Sequence, residues 1–266
     1  MAKRNRITLK HFFRRGGLPT ENQFRDLIDS TLNMVDEGFD KSAENGLEIS
    51  PLGDKPSLLS FFKSADATAP AWTIRYDENR EKLLIEIPGE TPLLSFSPRR
   101  YVGIHKADPA YALDVDGVVA SQGRVGNYAE GRVPADGQWH VIVDKLSGCN
   151  AFEVMAGTGK KRSGHYALMH AFALNTFHPK GWLFNFLNLK RRITYHQAYY
   201  RSLRSKLKLR WRPVNEQSKW RPFGSYRLEL RSNRDYGPDI YIRYHVSRLW
   251  FDEFMDETQS DLTPQR

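Results

Sequence analysis

Residues 101–126 carry glycines at 103, 117, 123 and 126, a proline at 109, and few bulky side chains. The spacing predicts a short strand, a proline bend, an alternating strand over 113–115, a glycine turn at 117 and a second strand beyond it. Leu113 and Val115 supply apolar strand positions, with Val118 past the turn, while Asp114 and Asp116 fall between them. Glycines belong where a chain reverses or where backbones approach closely. A segment this lean buries little by itself. It is expected to be completed by neighbouring strands, including those of other copies of the chain.

Val102, Gly103, Ile104, Pro109, Leu113, Asp114, Val115, Gly117, Gly123, Arg124 and Gly126 make this segment resemble a short motif of tail-fibre and appendage-type proteins. Such proteins occur in phages and in phage-like contractile injection systems. His105 stands where that pattern usually has a further glycine. The resemblance is confined to residues 101–126. It implies a connector between an attachment region and a distal domain, and a homotrimer. It also implies baseplate or fibre subunits as partners, in an assembled particle.

The remaining sequence suggests how such a chain is divided. The fold is expected to be mainly β: a short N-terminal helix, a small β-rich connector, and a C-terminal β-sandwich or jelly-roll-like domain. Residues 1–45 read as a basic arm and an amphipathic attachment helix, and 46–130 as the connector. Residues 131–255 read as the C-terminal domain, and 256–266 as an acidic, polar tail. The arm holds Lys3, Arg4, Arg6, Lys10, Arg14 and Arg15 without an acid. In the helix, Thr20 and Gln23 form a capping-box pattern, and Phe24, Leu27, Ile28, Leu32 and Val35 repeat along one face. A helix this short must dock. Two destinations are open, the chain's own β-layer or symmetry mates at an attachment end.

From residue 46 the pattern turns to short runs about ten residues apart, at 47–49, 57–62, 71–76, 82–87, 92–96 and 101–104. Leu-Leu-Ser-Phe occurs at 58–61 and again at 93–96, too few instances for a solenoid. Seven strand candidates follow, at 139–143, 152–155, 165–174, 192–200, 205–212, 226–231 and 240–250, enough for a sandwich. In the clearest, Leu207, Leu209 and Trp211 alternate with Lys206, Lys208, Arg210 and Arg212. The run 181–189 reads as a short helix or an apolar loop.

Charge concentrates in this last zone. Residues 190–248 hold sixteen Lys or Arg against four acids, outweighing the whole-chain net of +9. Lys206, Lys208, Arg210, Arg212, Arg227, Arg231 and Arg243, with Trp220 and other aromatics interleaved, form a candidate face for a partner or an anionic glycan. Four readings are open: a solvated surface, a protein partner, an acidic glycan, and, least favoured, nucleic acid.

Other chemistry is largely excluded. Cys149 is the sole cysteine, so neither an intrachain disulfide nor a Cys-based zinc site is possible. No histidine cluster has metal-ligand spacing. Residues 156–161 lack the first glycine and the Ser or Thr of a phosphate loop, and their glycines read as a hairpin turn. No cofactor and no enzymatic activity are expected. No apolar run approaches the roughly 18 residues of a membrane span, and the N-terminus lacks a secretory signal. The expectation is synthesis in the cytoplasm and, if the chain is exported, release as part of a particle.

Overall fold

The computed structural model describes residues 4–31, 37–79, 81–176, 191–200, 202–214 and 225–258. The protein is mainly β with short N-terminal helices. It divides into two compact units, Met1–Ala120 and Ser121–Arg266.

The first unit opens with a helix, α1 (Arg6–Phe12), inside what the sequence presents as a basic arm. Asn5 caps it by accepting from the Thr8 N–H at 2.9 Å. That cap was the missed signal. The second helix, α2 (Glu21–Asp29), begins as expected, with the Thr20 N–H donating to Gln23 Oε1 at 2.9 Å. It ends sooner than the apolar repeat implied, for the Ser30 N–H turns back onto the Leu27 carbonyl at 3.1 Å. Leu32 and Val35 lie outside the described residues. Phe13 and Phe24 meet edge to face, ring centres 5.3 Å apart, and Arg4 Nε pairs with Asp26 at 3.0 Å, holding the helices together.

Two strands then form a hairpin, β1 (Phe39–Ser42), which was not anticipated, and β2 (Gly46–Ile49). Six more lie side by side in chain order: β3 (Ser57–Phe61), β4 (Trp72–Tyr76), β5 (Leu83–Glu86), β6 (Leu94–Phe96), β7 (Val102–Ile104) and β8 (Leu113–Val115). Neighbours are antiparallel except β7 and β8, which run parallel, so the chain must cross back between them. In that crossover His105 adopts φ +56°, a left-handed conformation that glycine reaches without strain. The strand expected beyond Gly117 does not form. Residues 116–128 hold no strand, and Val118 is 99% exposed.

The second unit contains β9 (Ala129–Pro134), β10 (His140–Leu146), β11 (Asn150–Gly159), β12 (Tyr166–Asn175), β13 (Arg191–Tyr199), β14 (Leu207–Pro213), β15 (Tyr226–Ser232) and β16 (Tyr241–Arg248). They form two antiparallel sheets, in the orders β13-β12-β11-β16-β9 and β10-β15-β14. Phe152, Val154, Met169 and Ile242 from the first sheet and Leu209, Leu228 and Leu230 from the second share one buried core. This is a two-layer sandwich. The unanticipated strand is β9, whose glycine and proline hide its pairing with β16. The second unit begins at Ser121, ahead of the expected 131, and takes in β9 and the residues leading into it. Gly157 and Gly159, read as a turn, lie inside β11, and the reversal comes at 160–165. The apolar run 181–189 lies outside the described residues.

Candidate functional site

Strand register shows which side chains of the six-stranded sheet share a face, because residues opposite one another in a ladder project to the same side. Arg75, Leu84, Ser95, Gly103 and Asp114 form one row, with Thr73 and Glu86 beside it. Most of this face pairs internally, the buried Thr73 hydroxyl being left without a partner. Arg75 clasps Glu86 through Nε and Nη2 at 2.6 and 3.0 Å, and Ser95 Oγ donates to the Lys106 carbonyl at 2.6 Å. Lys106 Nζ pairs with Asp114 at 2.9 Å. The Ala110 N–H, with Lys106, holds the Asp114 carboxyl below the usual aspartate range. Gly103 is glycine for room: a Cβ there would collide with the Lys106 carbonyl oxygen and Ser95 Oγ.

The opposite face is apolar throughout. Ile74, Ile85, Leu94, Ile104 and Val115 form one continuous row; Tyr76, Leu83, Phe96, Val102 and Leu113 form the next. The two Leu-Leu-Ser-Phe copies, on β3 and β6, follow the same plan. Ser60 and Ser95 point to the polar face, Phe61 and Phe96 to the apolar one. Yet the apolar face is only partly covered. Of the ten residues in these rows, Phe96 is 39% and Leu113 61% exposed, the other eight are half-buried, and none is fully buried. Six strands in register with one apolar side incompletely covered make a contiguous patch of the kind that marks an interface. The stripe of α2 is open too: Ile28 is 67% exposed, Phe24 is exposed and Leu27 is half-buried.

The other resembled residues divide between roles. Leu113, Asp114 and Val115 form the edge strand β8. Gly117 and Gly123 stand in open space. Arg124 and Gly126 fix the entry into the second unit: Arg124 Nη2 lies 2.7 and 2.8 Å from the two Glu153 oxygens, and a Cβ on Gly126 would collide with Ser247 and the Val246 backbone.

The candidate cationic face is partly assembled. Leu207, Leu209, Trp211, Leu228 and Leu230 point into the sandwich. Lys208, Arg210 and Arg212 of β14 therefore face outward beside Arg231, Glu229 and Arg227 of β15, their partners in register. Glu229 is 2% exposed beneath Arg210 and Arg227, with Arg210 Nε donating to Oε2 at 2.6 Å. Arg227 Nε approaches Oε1 at 2.7 Å, as an ion pair rather than an aligned hydrogen bond. Arg210 and Arg231 stack on Trp139, which precedes β10, their guanidinium carbons 4.2 and 4.5 Å from its ring centre.

Three expectations for this face are corrected. Arg243 lies on β16, on the outward side of the other sheet, because Ile242 and Tyr244 fill the core. Lys206 turns its ammonium to the Tyr199 ring, 5.1 Å away. Of the interleaved aromatics, Trp211 is buried and Tyr195 hydrogen-bonds to the edge of β14; burial pushes the Tyr195 hydroxyl pKa up. Trp220 lies outside the described residues. Trp139 and Glu229 were the residues missed. Trp139 could have been found from its place one residue ahead of a strand of this sheet.

Other candidate chemistry is thin. His170 Nε2 lies 2.8 Å from Glu153 Oε1, on the outward face of β12. Cys149 sits in the turn before β11, its N–H donating to the Glu253 carbonyl at 2.6 Å. Among the described residues, no group of three or more His, Cys, Asp or Glu could hold a metal, and no helix is long and apolar enough to cross a membrane. No protein-family model matches this chain, and no curated protein matches it either.

Proposed function

We propose that the chain is a homotrimeric structural appendage or adaptor of a phage or phage-like contractile particle. The apolar face of the six-stranded sheet carries this reading. A sheet that pairs most of its polar side internally and leaves its apolar side incompletely covered is suited to be one layer of a two-layer core. Another copy covering this face would bury the apolar area that Phe96, Leu113 and the half-buried residues of the two rows still expose, at about 25 cal/mol per Å². The resemblance over residues 101–126 supplies the number three and the particle. In this reading the helix pair, with its open stripe, joins neighbouring particle subunits, and the sandwich forms the distal domain.

Particles purified by density gradient from native cells test the placement. The chain is expected to sediment with sheath, tube and baseplate proteins, encoded beside it. Its exclusive recovery as free protein from cells rich in such particles would refute the assignment.

A further inference from the structure

We infer that the outward face of the β10-β15-β14 sheet binds an acidic polysaccharide. Two of its cross-strand pairs juxtapose like charges, Lys208 with Arg231 and Arg212 with Arg227. Such pairs weaken a sheet. The only acids on the three strands are Glu229, already shared by Arg210 and Arg227, and Asp144, which accepts from the Lys145 N–H at 2.9 Å. Among the described residues, Lys208, Arg212 and Arg231 have no carboxylate partner, and Arg231 Nε is buried without a hydrogen-bond acceptor. Within the fold, Arg231 gains its stacking on Trp139 but no neutralising charge. An external anion would neutralise it.

The face is also preorganised. Glu229 pins Arg210 and Arg227, and Trp139 orders Arg210 and Arg231, so the guanidinium forks suit sulfate, phosphate or carboxylate groups. Alternate residues along a strand lie ~6.8 Å apart and adjacent strands ~4.8 Å apart, so the five cations form a flat array suited to a linear polymer. Two other polyanions fit less well. A protein partner wants an apolar centre, and Val141 is the exposed aliphatic side chain here. Single-stranded nucleic acid wants open aromatic rings for its bases, whereas Trp139 is taken up by two guanidinium groups.

The test uses the full chain on columns of heparin, a sulfated polysaccharide, with neutral dextran as the blank. The variants are Lys208→Ser/Arg212→Ser and, as a charge-matched control on the other sheet, Arg132→Ser/Arg243→Ser. We expect heparin retention at low salt and none on dextran. The first variant should bind at least tenfold more weakly, with its log-affinity against log-salt slope reduced by about two. The control should bind as the parent does. Absence of retention, equal losses in both variants, or tighter binding to a short DNA oligonucleotide than to heparin would overturn the inference. The face lies wholly in the second unit, so a monomer that still binds heparin would sink the trimer alone.

Discussion

The Gln197 carboxamide pairs with Leu207 as a strand backbone would: Nε2 donates to the Leu207 carbonyl at 2.9 Å, and Oε1 accepts from the Leu207 N–H at 3.1 Å. Two residues away, the Tyr195 hydroxyl donates to the Leu209 carbonyl at 2.8 Å and accepts from its N–H at 3.3 Å. β14 is an edge strand, and bare edges invite pairing with other chains. Side chains of β13 close this one, joining the two sheets along that side.

Gln197→Ala should strip both bonds from the Leu207 backbone. The expected loss is about 1–3 kcal/mol, read from the urea midpoint, with faster amide exchange at Leu207. Unchanged exchange would show that the carboxamide is incidental.

Gly103→Ala and Gly126→Ala should each lower the unfolding temperature, because both place a Cβ against backbone atoms. Gly123→Ala, with open space around it, should change stability little. Equal effects at all three positions would contradict the packing roles assigned to Gly103 and Gly126.

Burial pushes the Tyr226 hydroxyl up to about 12, although Asn150 donates to it at 2.7 Å. The folded state therefore holds this proton more tightly than the unfolded chain, whose tyrosine titrates near 10. Its contribution is fully present below about pH 10 and is lost as pH rises towards 12. Denaturation midpoints should fall across that window, and less steeply in Tyr226→Phe. An identical slope in the variant would remove Tyr226 as the cause.

Ile85→Arg, at the centre of the apolar rows, should disperse the assembly while leaving the sandwich folded. Near-ultraviolet dichroism would follow Trp211 in the core, and sedimentation would follow size. An unaltered sedimentation coefficient would mean that this face is not the interface.

Much of the architecture was legible because alternation is a local signal. The runs 57–62 and 71–76 become β3 and β4, and Leu207, Leu209 and Trp211 point inward as their period of two requires. Features that depend on distant chain were harder to read. Nothing local shows that Ala129–Pro134 pairs with β16, or that Arg243 belongs to a different sheet from Arg231. Trp139 and Glu229 share a face through register, which is fixed only once the hairpins form. The open apolar side of the six-stranded sheet lies between these cases. Its residues alternate visibly, but its incomplete cover emerges only from the folded unit.

Light scattering of the 266-residue chain at high salt is the most direct test, since salt screens charge contacts while strengthening apolar ones. The incompletely covered sheet predicts an oligomer and the resemblance over residues 101–126 sets it at three chains per particle, unchanged on dilution through the micromolar range. A single chain per particle under those conditions would contradict it.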